Sequence, residues 1–87
     1  MATIDKIGRL DQILHNKRVK DDRSPEQCDL LSEAAMAMEN YQRHLQIPER
    51  DIKIIRYLAN NPRAALVREP NVMGAFKYAK EAMRYAG

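Results

Sequence analysis

SPEQCDLLSEAAMAMENYQRHL, residues 24–45, opens with a helix start signal and continues with one wet and one apolar side. Ser24 supplies a capping hydroxyl, Pro25 suits the first helical position, Glu26 puts an acid in the first turn and Gln27 completes a capping box. At 100° per residue, Leu30, Leu31, Ala34, Ala37, Met38, Tyr41 and Leu45 fall in one arc of roughly 120°. Asp29, Ser32, Glu33, Glu39, Asn40 and Arg43 occupy the opposite arc, with Met36 as an apolar residue among them. The pattern predicts a helix over 24–46, about 30 Å long, on which the remaining segments can pack.

On its N-terminal side, Ile4, Ile7, Leu10, Ile13 and Leu14 predict a helix over 3–16, with Thr3 as its cap and Asp5 in its first turn. Asn16 to Arg23 mixes charges of both signs around Val19 and reads as an exposed connection, making the first helix and the spine an antiparallel hairpin. On the C-terminal side Ile47-Pro48 ends the spine, since the residue before proline avoids the helical region. Ile52, Ile54, Ile55, Leu58 and Ala59 then predict a helix over 48–61, with Tyr57 at the margin of its apolar face. Asn60-Asn61-Pro62 breaks it. Residues 62–68 fit either a short fifth helix capped by Asn61 or an irregular connection, the helix being slightly favoured. A last helix over 70–86 carries Val72, Ala75, Phe76, Tyr78, Ala79, Ala82, Met83, Tyr85 and Ala86 on one half of its wheel.

No period-two pattern suggests a strand, so the fold class is all-α: one domain, 1–87, built as a small four-helix bundle or irregular helical array. A chain of 87 residues buries only about 60–65% of its unfolded surface. With no Trp and one Phe, its core is aliphatic, alanine-rich and thin. No apolar run approaches the roughly 18 residues of a membrane span, and Asp5, Lys6 and Arg9 interrupt any N-terminal signal segment. The single Cys28 allows no intrachain disulfide, so a cytoplasmic location is expected.

Catalysis is not expected. His15 and His44 fall near helix ends, Cys28 flanks the spine's apolar arc, and Ser24 is used as a cap. Neither metal-ligand spacing nor a phosphate-cradling glycine loop occurs, so no metal or cofactor is expected. Asp29 and Glu33 share a helix face, but it is the wet one.

Two patterns suggest binding. After residue 48 bases outnumber acids two to one. There Lys77, Lys80 and Arg84 form one cationic strip and Lys53 with Arg56 a second, although Glu81 can pair with Lys77. Ala75, Ala79, Ala82 and Ala86 form a seam on the last helix that permits close approach of a second helix, flanked by Tyr78 and Tyr85. The seam serves either packing within the chain or self-association. Met36 and the edge Ala75, Tyr78, Ala79, Ala82 and Tyr85 are therefore the expected interface residues, and Lys53, Arg56, Lys77, Lys80 and Arg84 the expected anion-binding residues.

The leading expectation is a non-catalytic, homo-oligomeric binding protein that regulates or inhibits a protein partner. The first alternative is a helix-turn-helix-like DNA-binding regulator using the basic last helix, against which stand the missing turn glycine and the thin base-reading set Met73, Gly74 and Lys77. The second is an oligomer that sequesters a small anionic ligand such as a nucleotide. Small size suits a phage or mobile-element accessory protein, an expectation that no residue carries.

Overall fold

Residues 2–15, 23–64, 66 and 69–86 are described by a computed structural model of the chain. They form α1 (Ala2–His15), α2 (Pro25–Asn40), α3 (Gln42–Leu45), α4 (Glu49–Asn60) and α5 (Pro70–Ala86). No strand occurs among the described residues, and the fold is all-α as the periodicity requires. None of these helices is long and apolar enough to cross a membrane.

α2 begins where its start signal lies. Ser24 is extended, its hydroxyl accepts from the Gln27 N–H at 3.2 Å, and the Ser24 N–H donates to Gln27 Oε1 at 2.9 Å. Both halves of the capping box are made, which satisfies two donors that a helix N-terminus otherwise leaves open.

The spine does not run unbroken to Leu45. Tyr41 leaves helical geometry at φ −110°, ψ 15°, and one further turn, α3, follows it. Neither proline nor glycine marks this break. A tertiary contact lies there instead: the Tyr41 ring sits 5.8 Å from that of Tyr85, and its hydroxyl donates to the Tyr85 carbonyl at 3.4 Å. α3 ends on Gln46, a non-glycine residue in the left-handed region at φ 54°, ψ 48°. The Ile47 N–H returns to the Gln42 carbonyl at 3.0 Å, and the Gln42 side-chain amide donates to the Ile47 carbonyl at 3.2 Å. This is the 6→1 closure of a Schellman-type cap, and it seats Ile47 in the core. Pro48 stands in extended geometry just before α4 rather than within it.

α2 packs most extensively on α4, and α5 packs against α1, α2 and α4. The expected α1–α2 hairpin is a minor contact, because α1 lies mainly on α5. Lys6 Nζ meets Glu33 Oε1 at 2.8 Å across the first junction, and Lys80 Nζ meets Asp11 Oδ1 at 2.8 Å across the second. Leu10, Leu31, Met38, Ile55 and the sole phenylalanine, Phe76, are the largest fully buried side chains. α1 begins at Ala2, so Thr3 lies inside the helix rather than capping it. Ile4, expected on the apolar side, is exposed.

After α4 the chain turns without a new helix among its described residues. Asn61 Nδ2 donates to the Tyr57 carbonyl at 2.9 Å, and the Ala64 N–H donates to the Asn61 carbonyl at 2.9 Å. Asn61 therefore finishes α4 instead of capping a helix over 62–68. Pro62 to Ala64 form a turn, and non-helical Leu66 packs on the core. Ala65, Val67 and Arg68 lie outside the described residues. Pro70 takes the first helical position of α5, whose opening bond runs from the Met73 N–H to the Glu69 carbonyl at 2.9 Å. The expected connection over 16–23, with Val19, also lies outside the described residues except for Arg23. That side chain donates to the carbonyls of Leu58 and Asn61 at the end of α4.

Candidate binding surface

The wide apolar face of α4 is only partly used by the core. Ile52, Ile55, Leu58 and Ala59 are buried, Ile54 is half-buried, and Tyr57 is 59% exposed. α5 packs against α4 and adds half-buried Val72. Ile54, Tyr57, Leu58 and Val72 thus line an open groove of about 620 Å³. Glu49, Arg50, Lys53 and Glu69 stand around it.

Glu49, Arg50 and Lys53 belong to the first turns of α4, whereas Glu69 immediately precedes α5. Glu49 lies in the first turn of α4, where unpaired N–H groups favour an acid. Asp51, on the inner side of the same turn, has a side chain only 6% exposed, and Arg50 Nε approaches its carboxylate at 3.9 Å. Asp51 is a buried acid held at the positive end of a helix.

The five expected anion-binding residues do not converge. Arg56 pairs with Glu39 of α2, and Lys80 pairs with Asp11 of α1. Lys53 is exposed at the groove, while Lys77 and Arg84 are exposed on α5. The pairing of Lys80 interrupts the strip that α5 was expected to present, and no Lys77–Glu81 ion pair forms among the described residues. The middle helix of a helix-turn-helix is likewise missing from described residues 62–64 and 66.

The expected interface residues also separate. Met36 is 61% exposed, as its place on the polar arc of α2 requires, and borders a small cavity of about 240 Å³ with Lys6, Glu33, Asn40, Met83 and Ala86. Ala75, Ala79 and Ala82 are fully buried within the single chain. Their small side chains let α5 sit close to its three neighbours, so these three alanines serve packing within the chain, while Ala86 at the end of the seam is exposed. Tyr78 is partly buried against the core. Tyr85 is exposed, with its ring edge-on to His44 at 5.1 Å and beside Tyr41.

Sequence reasoning missed the groove, although one signal for it was present. Tyr57 at the margin of an α4 face already rich in isoleucine extends that face beyond what its neighbours cover. No group of three or more His, Cys, Asp or Glu among the described residues is placed to hold a metal ion. No protein-family profile, curated protein or solved structure matches the chain.

Proposed function

We propose that this chain is a non-catalytic binding protein that engages another protein through the groove beside α4. The observation that carries this reading is the exposure of Tyr57 above Ile54, Leu58 and Val72 in an open, apolar-floored groove with a charged rim. Tyrosine gives an amphipathic, rigid contact surface, and a few such anchors supply most of the binding energy of protein interfaces. The groove follows about 13 Å of helix α4, a length suited to the apolar stripe of a partner helix. A regulatory or inhibitory role follows from occupying a partner surface without altering it chemically. Nucleic-acid binding has less support, since Arg56 and Lys80, two of the five expected anion-binding residues, are engaged by acids of this chain.

Selection of a displayed library of amphipathic helical peptides on the purified chain, followed by amide chemical-shift mapping, tests the proposal. The expected binders perturb Ile54, Tyr57 and Val72 and lose affinity for Tyr57→Lys. Binders that map to another face, or a duplex DNA that perturbs Lys77 and Arg84 while no peptide perturbs the groove, would overturn it.

A further inference from the structure

We infer that residues 46–48 form a hinge across which this chain exchanges α4 and α5 with a second copy of itself, giving a domain-swapped dimer.

The connection between α3 and α4 is confined to residues 46–48. To bring α4 against α2 through so short a link, Gln46 takes the left-handed backbone at φ 54°, ψ 48°, which costs any residue other than glycine. Ile47 is folded back on Gln42 by two hydrogen bonds. An open hinge lets Gln46 return to extended geometry, which Ile47, standing before proline, already favours. Short connections held under backbone strain invite exchange for that reason. Opening gives up the two bonds to Gln42 and relieves Gln46, so the closed and open hinges lie close in free energy and protein concentration decides between them.

The same hinge divides the chain into two parts that complete each other. The packing of α2 on α4, and of α5 on α1 and α2, runs across it, whereas within the first part α1 and α2 touch only slightly. The Asp11–Lys80 and Glu39–Arg56 ion pairs and the Tyr41–Tyr85 ring contact run across it as well. A second copy offers α1 to α3 the complementary surface that their own α4 and α5 offer, so exchange needs no interface beyond the one the fold already contains. With so much packing across the hinge, the exchange passes through the unfolded chain. The groove residues, from Glu49 to Val72, all follow the hinge and travel together. The dimer thus presents two intact grooves, which raises avidity for any partner the groove binds, while the exchange itself does not depend on what the groove binds.

Refolding of the whole chain at two concentrations tests the exchange. After equilibration near the urea midpoint at millimolar concentration and rapid removal of urea, sedimentation is expected to show a dimer at twice the 10.1 kDa chain mass, with the circular dichroism spectrum of the monomer. The dimer should persist on dilution in buffer and return to monomer when the equilibration is repeated at micromolar concentration. In a dimer made from equal parts of isotopically labelled and unlabelled chain, filtered NOE spectra should place Tyr41 of one copy beside the partner's Tyr85. Gln46→Gly should lower the dimerisation constant about tenfold, since both hinges then lose the strain that opening relieves. A chain that refolds only to monomer at millimolar concentration overturns the inference. So does a dimer whose Tyr41–Tyr85 contacts stay within each chain, or one whose proportion Gln46→Gly leaves unchanged.

Discussion

The guanidinium of Arg23 donates to the Asn61 carbonyl at 2.6 Å and to the Leu58 carbonyl at 3.2 Å, while the Arg23 N–H donates to the Pro62 carbonyl at 3.0 Å. A residue just before α2 therefore closes the last turn of α4, whose terminal carbonyls lack partners within their own helix. Hydrogen bonds to a charged donor contribute roughly 1.5–3 kcal/mol, and the partial exposure of this one favours the lower end. Arg23→Ala should lower stability by about 1.5 kcal/mol, which in a domain of this size shifts the thermal midpoint by roughly 6–12 °C. Arg23→Lys should recover only part of the loss, because a single ammonium cannot reproduce the fork. Thermal unfolding followed at 222 nm measures both.

Gln46 offers a gain in stability. Its left-handed backbone costs an L-residue about 1–2 kcal/mol, whereas glycine adopts it freely at an entropic cost of about 0.5–1 kcal/mol. Gln46→Gly should stabilise the fold by roughly 0.5–1 kcal/mol on that balance, and Gln46→Val should destabilise it. Urea unfolding with an unchanged m-value would establish the effect as one of stability.

Ala79 and Met36 should respond oppositely to charge. Ala79 has no exposed surface within a single chain, so Ala79→Glu buries an unpaired carboxylate at a cost of several kcal/mol. That is comparable with the whole stability of a small domain, roughly 5 kcal/mol or somewhat more. The variant should be unfolded at every protein concentration. Met36→Lys adds a charge on a face already in water and should change stability by no more than about 0.5 kcal/mol. Circular dichroism across a hundredfold dilution range distinguishes these outcomes.

Lys80 and Lys77 separate a paired cation from a solvated one on the same helix. The Lys80 and Asp11 side chains are 29% and 43% exposed, so solvent screening limits their pair to about 0.5–1 kcal/mol. Lys80→Gln should lose that amount at low salt and less near 1 M salt, where the Debye length is about 3 Å. Lys77→Gln should be close to neutral throughout. Thermal midpoints at the two salt concentrations provide the comparison.

Features carried by local chemistry were legible in the sequence. Ser24 and Gln27 announce a capping box, and the wheel of α2 an exposed Met36; each follows from a spacing of three or four residues. Features created by the meeting of distant segments were not. Tyr41 looks like one more position on an apolar arc, and only its approach to Tyr85 accompanies the break that makes α3. Arg23 closes a run of charges and resembles solvated surface until α4 ends beside it. The alanine seam announces close packing with equal force inside a chain or between chains, because small side chains do not specify whose helix approaches. The groove depends on where α5 begins relative to α4, and only the excess apolar width at Tyr57 hinted at it.

The Asp11–Lys80 contact spans 69 residues of sequence, which gives the protein an order in time. A ribosome adds roughly 5–20 residues per second, so Leu10, Ile13 and Leu14 of α1 emerge seconds before the α5 surface that will cover them. α2 and α4, separated by one short helical turn, can meet while α5 is still being made, since nearby contacts lose less chain entropy on closing. α1, made before the other four helices described, is thus among the last to be placed. Until α5 arrives, the face of α1 that it covers stays open on the nascent chain.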